Sequence, residues 1–440
     1  MIKFIRKIFR DRRGNALAIA AACMPLVVGA AGLATDTIQW TLWKRQLQRA
    51  ADSAAFAGVY DRAAASGATT NTPTAVCNDL AVNLHTWMNL QGSSPCTGTV
   101  GSYTSLTYPG DTAYVTNQVR VALAIQQRLP FSSIFMSAAP IITAEAQAGS
   151  VTYGGSPCML ALNSSGTAID NSGNTTVTAP TCIFYSDSAA SNSAAAGGSS
   201  SVTAKAIAGV GGIASSNNWI VNQYLPYSPS LPDPLAPPST TAVTPDPAAM
   251  NCTASAADKN TNWAAMKAAG INCFSSMSTN PHDVISVPND FGPIYINGGN
   301  VDLKGDFSCT GCAVVLTNKS TAANATIGTW SSNAQATNNI TAPTSGTYKG
   351  IAVYQDRRAT GNVDKINGGS SNVISGVVYF PKDTLWINGS GNAVSLCAMW
   401  IANNLVFKGN SSIGISSAND TACSGANLPS GTTTVVRLVA

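Results

Sequence analysis

The chain is poor in the residues that most catalytic and metal sites use. It has two histidines, His85 and His282, among 440 residues, and no glutamate follows Glu145. A metal site with three histidine ligands is therefore excluded, and histidine catalysis would depend on one of these two residues. We expect no catalytic residue, no cofactor and no metal site, and we predict that the protein is not an enzyme.

Charged residues are also scarce. Only 10% of the residues are Asp, Glu, Lys or Arg, whereas a typical soluble protein has about a quarter. The basic residues concentrate between Lys3 and Arg13, where Asp11 is the only acid, and the rest of the chain is close to neutral. A wide basic surface is therefore absent from the sequence pattern, and we expect no nucleic-acid partner.

The basic tail leads into an uncharged apolar run at residues 16–35, ALAIAAACMPLVVGAAGLAT. A helix of this length spans roughly 30 Å, which is the thickness of the hydrocarbon core of a membrane. Basic residues before such a run favour a cytoplasmic N-terminus and export of the chain beyond the run. The sequence therefore predicts a single membrane pass at residues 16–35.

Two other interpretations of this run remain open. Gly32-Leu33-Ala34 before Thr35 is compatible with a cleaved secretory signal, and a prepilin leader would be cut after Gly14. An uncleaved anchor is favoured because the apolar helical spacing continues beyond the run to Val59, without proline or glycine between residues 35 and 57. A prepilin usually has glutamate where this chain has Ile19.

Several of these features together resemble a known family. They are RRGNA at residues 12–16, the apolar run with Gly32-Leu33-Ala34, Asp36, and LQRAADSAA at residues 47–55. The combination resembles the N-terminal signature of TadG-like proteins, which are assembly components of the bacterial Flp (tight-adherence) pilus. The likeness covers roughly residues 10–60. The strand–loop–strand pattern of residues 119–127, 131–135 and 141–146 is similar to the exported module of these proteins.

The resemblance implies a structural component of pilus assembly or surface adhesion. It implies a bacterial inner-membrane location with a single pass, a cytoplasmic N-terminus and a periplasmic or surface-exposed bulk. Other pilus-assembly proteins would be its partners, while the oligomeric state and the choice between minor pilin and accessory factor stay open. Some family members contain a von Willebrand A domain with an Asp-x-Ser-x-Ser metal site. Here the nearest stretch, DNSGN at residues 170–174, lacks the second serine and is predicted to be a turn.

Cysteine usage supports export. Cys23 lies in the apolar run, and an even number of cysteines comes after it, which in an exported protein predicts a disulfide framework. Sequence neighbours suggest the pairs 77–96, 158–182, 252–273 and 397–423, although spacing alone leaves the connectivity open. The CTGC motif at residues 309–312 is interpreted as a structural disulfide, because no second such motif and no thioredoxin-like context accompany it. The candidate structural disulfide residues are Cys77, Cys96, Cys158, Cys182, Cys252, Cys273, Cys309, Cys312, Cys397 and Cys423.

The rest of the chain predicts a mainly β fold after the long N-terminal helix. Short apolar runs that end in Gly or Asn recur, and Ile366, Ile387 and Phe407 are separated by 21 and 20 residues. This period favours a parallel β-helix with Asn and Ser stacked at its corners, and a β-sandwich with long loops is the alternative. We expect the following divisions: 1–14, a basic cytoplasmic tail; 15–62, a transmembrane and pilin-like stem helix; 63–150, a small α+β exported module; 151–225, a Ser/Gly/Ala-rich β region; 226–250, a proline-rich connection; and 251–440, a C-terminal β-helix-like domain.

A β-helix also raises a second functional hypothesis, a surface carbohydrate-active enzyme or a sugar-binding adhesin. Cleavage of a polysaccharide would need two carboxyl groups about 5–10 Å apart. The charged cluster Asp356-Arg357-Arg358 is equally typical of a solvated loop, and the scattered aromatic residues are typical of a core. The candidate acids are Asp290, Asp302, Asp306, Asp356, Asp364 and Asp383. The candidate sugar-stacking residues are Trp219, Tyr224, Tyr227, Trp263, Trp330, Trp386 and Trp400.

Overall fold

The computed structural model describes residues 15–84, 90–91, 96, 103–112, 115–153, 157–333, 335–368, 372–389, 392–395, 398–410, 412–415 and 433–439. These residues form two compact units. The first contains the described residues of 1–151 and 436–440, and the second those of 152–435.

The described helices are few and the described strands are many. The helices are α1 (Asn15–Ala64), α2 (Thr72–Asn83) and α3 (Trp263–Ala268), with short 3-10 turns at Ser132–Ile134 and Pro247–Ala249. The strands are β1 (Leu90–Gln91), β2 (Ser105–Thr107), β3 (Val115–Gln126), β4 (Ile141–Tyr153), β5 (Pro157–Ala161), β6 (Ile169–Asn171), β7 (Thr176–Ser186), β8 (Ala194–Ala196), β9 (Ser201–Gly209), β10 (Trp219–Leu225), β11 (Cys273–Phe274), β12 (Met277–Thr279), β13 (Val284–Val287), β14 (Gly292–Asn297), β15 (Val301–Leu303), β16 (Asp306–Thr310), β17 (Cys312–Thr317), β18 (Trp330–Ser332), β19 (Asn338–Thr341), β20 (Ile351–Gln355), β21 (Val363–Gly368), β22 (Val373–Gly389), β23 (Asn392–Ser395), β24 (Ala398–Gly409), β25 (Ser412–Ile415) and β26 (Thr433–Leu438). The structure therefore confirms a mainly β protein with a long N-terminal helix.

Helix α1 changes character along its length. Its first half carries large apolar side chains that are exposed within the first unit, among them Leu26, Val27 and Leu33. It is the one helix in the described part of the chain that is long and apolar enough to cross a membrane. The helix continues through Pro25, which is tolerated where a helix lies in a membrane.

The second half of α1 packs on an antiparallel sheet in which β3 lies between β1 and β4. Leu47, Ala51, Ala54 and Val59 lie at helical spacing and are completely buried. At Gly58 an added Cβ would lie 2.8 Å from the Val119 side chain, so the helix approaches the strand closely at this point. The buried positions of the alanine-rich motif, which are Leu47, Ala50, Ala51, Ala54 and Ala55, therefore form the packing face of the helix.

In the second unit the strands stack in parallel ladders. Every pairing between named strands of this unit that the structure describes is parallel. One ladder runs in the order β11, β14, β17, β20, β22, β24, β5, β7, β9 and β10. A second runs from β12 through β15, β18, β21, β22, β24 and β6 to β8. A third joins β13, β16, β19 and β22. Between two successive strands of one ladder, such as β11 and β14, the chain passes through strands of the other two ladders, here β12 and β13. These strands make the crossover that parallel neighbours require.

The register of the last strands matches the repeat in the sequence. Ile366 pairs with Ile387, and Ile387 pairs with Phe407, on parallel strands. All three side chains are buried in one apolar cluster. The 21- and 20-residue spacing in the sequence therefore corresponds to adjacent parallel strands.

Polar residues form short ladders where the strands turn. The amide of Asn163 donates to Asn404 at 3.0 Å, and Asn174 donates to Asn410 at the same distance. The Asn404 amide in turn donates to Thr384 at 3.2 Å. Side-chain amides therefore satisfy one another between neighbouring layers.

Chain order and stacking order differ in the second unit. Strand β24 pairs with β22 on one side and with β5 and β6 on the other. Residues 157–225 therefore stack beyond the last long strand of the unit. After β10 the chain has to reach β11, at the opposite end of the ladder. The connection between them contains the proline-rich segment, residues 226–250.

The proline-rich segment runs along an outer face of the ladder that is rich in tyrosine. The Tyr379 hydroxyl donates to Asp233 at 2.6 Å, and the Tyr354 hydroxyl donates to the carbonyl of Val243 at 2.8 Å. Leu235 and Val243 of the segment are buried against the tyrosines. Proline has no backbone N–H to donate. It suits this position because the segment adds no strand, and most of the hydrogen bonds to its backbone are accepted by its carbonyl groups.

Four disulfides join described cysteines. They are Cys77–Cys96 in the first unit, and Cys158–Cys182, Cys252–Cys273 and Cys309–Cys312 in the second. Each is a pair suggested by the sequence, and Cys23 has a free, exposed thiol. The expected partners Cys397 and Cys423 lie outside the described residues.

We predict that a thiol reagent labels only Cys23 in the native, unreduced protein. The reason is that the other ten cysteines are expected to form five disulfides. Mass spectrometry of labelled protein before and after reduction measures this. Labelling at two or more cysteines beyond Cys23 without reductant would contradict the prediction, and Cys23→Ser should abolish the signal.

We predict that Ile387→Asp unfolds the second unit. The carboxylate would replace a buried side chain between Ile366 and Phe407 and would find no partner there, which costs several kcal/mol. Asn388→Asp, at the adjacent half-buried position, is the matched control and should have a mild effect. Circular dichroism and denaturant titration distinguish the two, and equal stability of both variants would contradict the packing argument.

Candidate functional site

The first unit has a polar contact where the apolar half of α1 ends. Asp36 comes directly after the uncharged run and is nearly completely buried. Its carboxylate accepts hydrogen bonds from the backbone N–H of Phe131 at 2.8 Å and of Ser132 at 2.5 Å. The Ser132 hydroxyl donates to the same carboxylate. A residue at the end of the apolar run thus binds the loop between β3 and β4.

Packing adds to this contact one turn earlier on the helix. The Phe131 ring lies directly over Gly32, where an added Cβ would be 2.2–2.6 Å from ring atoms. Only glycine leaves room for the ring against the helix backbone. We call Gly32, Asp36, Phe131 and Ser132 the Asp36 junction.

Electrostatics favour a charged Asp36. Burial acts to raise the pKa of this carboxyl, but the hydrogen bonds from Ser132 and Phe131 outweigh burial and hold the pKa below its ordinary value. Hydrogen bonds from N–H groups to a carboxylate are stronger than those to a neutral acceptor. The junction is therefore a charge-assisted bond between the helix and the loop.

Further polar contacts lie along α1. The Lys44 ammonium donates to the carbonyl of Thr143, and the Gln48 amide donates to the carbonyl of Glu145 at 2.8 Å. At the far end the Arg62 guanidinium donates to the carbonyl of Gln118 at 2.6 Å. These side chains hold α1 to the sheet on both sides of its alanine face.

Comparison with protein families identifies this region. Residues 14–69 match the family described as putative Flp pilus-assembly TadE/G-like. The N-terminal region is a TadE/G-like domain. Comparison with curated proteins and with solved structures finds no match to this chain. The match contains the whole of α1 and ends at residue 69, so the loop that Asp36 binds lies beyond the matched residues.

Outside the TadE/G-like domain, the structure brings two of the candidate acids together. The side chain of Gln355 donates to Asp364 at 3.3 Å and to Asp383 at 2.7 Å. Asp383 also accepts from the backbone N–H of Gly361 and of Asn362, and Asp364 accepts from that of Trp330. The sequence shows both acids but gives no sign that they meet, and Gln355 was not among the candidates.

The buried environment changes the titration of Asp364. Burial is the largest influence on Asp364; together with the neighbouring Asp383, and against the hydrogen bonds from Trp330 and Gln355, it raises the pKa of this carboxyl to about 8. Both carboxyl groups are completely buried. A polysaccharide therefore has no access to them, and their visible role is to join three layers of the ladder.

The other candidate acids serve as local structural contacts. Asp302 lies 3.2 Å from the Lys304 ammonium, and Asp306 accepts from the backbone N–H of Thr337. Asp290 lies at a turn with a φ of 53°. Asp170, expected in a turn, instead lies in β6, and the chain bends only at the glycine and asparagine beyond that strand. In the described residues no group of three His, Cys, Asp or Glu side chains is placed to hold a metal ion.

The charged cluster at residues 356–358 is not a solvated loop. Asp356 is buried, pairs with Arg358 at 2.8 Å and accepts from the Thr317 hydroxyl at 2.7 Å. Arg357 points to the proline-rich segment and donates to the carbonyls of Leu235 and Val243 at 2.8 and 2.7 Å. The cluster therefore holds the proline-rich segment through Arg357, and Arg358 holds the loop after β17 by donating to the carbonyls of Asn318 and Ser320.

Most of the candidate sugar-stacking residues belong to the core. The tryptophans at 219, 263, 330 and 400 are buried, whereas Tyr224 and Tyr227 are exposed. Trp386 is half-buried between the ammonium groups of Lys365 and Lys408, whose nitrogens lie 5.9 and 5.4 Å from the ring centroid. His282 lies exposed in a turn, and His85 lies outside the described residues.

We predict that Gly32→Ala displaces the loop from α1. The new methyl group would overlap the Phe131 ring, so the N–H groups of Phe131 and Ser132 would lose Asp36 as acceptor. Their hydrogen exchange should accelerate about tenfold or more, since such bonds contribute about 1.5–3 kcal/mol. Gly29→Ala is the matched control because an added Cβ there meets nothing within 4 Å. Equal exchange in both variants would contradict the junction.

We predict that the second unit loses stability as pH rises between about 4 and about 8. Asp364 holds its proton in the folded state, whereas in the unfolded chain its pKa is near 3.8. Its contribution is therefore complete below pH 4 and is lost as pH rises through about 8, with a slope of up to about 1.4 kcal/mol per pH unit. Asp364→Asn should flatten this slope.

Denaturant unfolding across this pH range measures the effect. Asp302→Asn serves as control because Asp302 is an exposed member of a surface ion pair, and the slope should persist in that variant. A wild-type protein whose stability rises over the same range would contradict the assignment.

Proposed function

We propose that the protein is a membrane-anchored, exported structural component of Flp/Tad pilus assembly or of surface adhesion. The observation that carries this proposal is the divided character of α1 within the TadE/G-like match. Its first half exposes apolar side chains without a polar face, and its second half packs on a folded sheet. A helix of this kind anchors a folded unit beside a membrane.

The proposed orientation rests on charge. The basic tail precedes the apolar run, which favours a cytoplasmic N-terminus and an inner-membrane location with the bulk on the opposite side. The four disulfides support an oxidising compartment such as the periplasm or the cell surface. Other pilus-assembly proteins are the proposed partners.

For the second unit we propose a parallel β-helix. The three parallel ladders, the buried interior cluster and the Asn pairs at the turns all support this fold. A β-sandwich would require antiparallel sheets, so the parallel pairings favour the β-helix. A body of stacked strands suits a structural or surface-exposed role.

We propose a structural role in preference to carbohydrate cleavage. The two candidate acids that meet, Asp364 and Asp383, are buried, and Asp356 is held by Arg358. The remaining candidates are single acids on turns or strand faces. These placements favour neither an acid–base pair nor an open cleft.

The test is deletion in the native bacterium, followed by complementation. Deletion should abolish or strongly reduce surface pili and attachment, and the full chain should restore both. A chain with Val27→Lys and Val28→Lys should restore neither and should leave the membrane fraction, because each Lys near the centre of a span costs about 2.5–3.5 kcal/mol.

Val82→Lys is the matched control for the anchor. Val82 is an exposed valine of α2, outside the apolar run, and the variant should behave as wild type. Normal pili and attachment after deletion would overturn the proposed role. N-terminal sequencing of the mature protein that begins at Asn15 or Thr35 would overturn the uncleaved anchor.

A further inference from the structure

The loop between β3 and β4 exposes large apolar side chains that its own unit does not cover. Ile134, Phe135 and Met136 are 71%, 75% and 50% exposed, respectively. These three consecutive residues of the loop are called its tip below. Ile141, at the start of β4, is also largely exposed. A soluble protein rarely leaves such a cluster open unless something apolar covers it.

The Asp36 junction determines where this tip lies. Phe131 sits on Gly32, and both Phe131 and Ser132 bind Asp36, so the loop begins beside the last turn of the uncharged run. The Phe135 ring packs edge-on against Phe131, with 5.4 Å between the centroids. The exposed tip is thus held close to α1 at the level where residues 16–35 end.

The helix continues the same apolar surface at this level. Leu33 is 64% exposed, and Val28, just over one turn before it, is similarly exposed. The loop itself has no charged residue between Leu129 and Ala144, and the exposed Arg128 stands directly before this stretch. An apolar tip preceded by a cation matches a membrane interface, where acyl chains lie beneath phosphate groups.

We propose that residues 131–136 form a second membrane contact, seated in the interface of the leaflet from which α1 emerges. Ile134, Phe135 and Met136 enter the boundary between headgroups and acyl chains, and Arg128 lies among the lipid phosphates. This inference rests on the proposed anchor, because the lipid surface is the one that α1 crosses. With two contacts, the rotation of α1 about its own axis is fixed, and so is the face that the first unit turns to the membrane.

Depth-dependent fluorescence quenching tests the proposal on the full-length protein. In a Cys23→Ser background, single cysteines at Phe135→Cys, Val27→Cys and Ala65→Cys carry a small fluorophore attached to the oxidised protein. The protein is reconstituted in phosphatidylcholine vesicles whose lipids are brominated either near the headgroup or deep in the acyl chain. Ala65 is exposed just beyond the far end of α1, roughly 40 Å along the helix from Asp36, and serves as the aqueous control.

The expected pattern separates the loop from the anchor. Phe135→Cys should be quenched at least twofold by shallow bromine and less by deep bromine, Val27→Cys should show the reverse order, and Ala65→Cys should respond to neither. If Val27→Cys is quenched while Phe135→Cys behaves like Ala65→Cys, the loop contact is wrong and the anchor stands. If Val27→Cys is not quenched, the anchor is wrong and the loop proposal falls with it.

Three further variants guard against a local artefact. Ile134→Cys should reproduce the shallow quenching, because its side chain is as exposed as that of Phe135. Adding Gly32→Ala to Phe135→Cys should reduce the quenching, whereas adding Gly29→Ala should not, because only Gly32 contacts the loop. Quenching that is insensitive to Gly32→Ala would overturn the role of the Asp36 junction in seating the loop.

Discussion

Helix α1 carries two different surfaces along one continuous backbone, an uncovered apolar half and a half that packs on a sheet. Its first half leaves Leu26, Val27 and Leu33 uncovered, and its second half buries Leu47 and Val59 against a sheet. A helix satisfies its own backbone hydrogen bonds, so the same element can serve in a lipid and in a protein core. The architecture of the first unit depends on this division, because the sheet covers only the part beyond the apolar run.

The uncharged apolar run ends at Asp36. Its carboxylate would be costly at the end of an apolar run if it had no partners, and the loop N–H groups and the Ser132 hydroxyl supply them. The same bonds bring the apolar loop tip beside the helix. One acidic residue thus ends the apolar run, orders the loop and determines where Ile134 and Phe135 are exposed.

The second unit solves a different problem, which is how to bury a weakly charged chain rich in Ala, Ser and Asn. Parallel ladders pair the backbone groups. Alternate side chains fill two buried apolar clusters, one of which is rich in tyrosine. Pairs of Asn side chains form hydrogen bonds with each other between neighbouring strands or their ends. The proline-rich segment covers the tyrosine-rich cluster and is held there by hydrogen bonds from Tyr354, Tyr379 and Arg357. Stacking the early strands beyond β24 is what makes a returning segment necessary.

Local patterns in the sequence determined the long helix, its alanine face and the strand repeat of Ile366, Ile387 and Phe407, because each depends on spacing along the chain. They also suggested the four cysteine pairs that the structure then showed. Contacts between distant segments were decided only by the tertiary structure. Asp36 meets Ser132 across 96 residues, Asp364 and Asp383 share Gln355, and β24 meets β5 across more than 200 residues. No local spacing encodes such contacts, since they arise only when packing brings separate elements to one place.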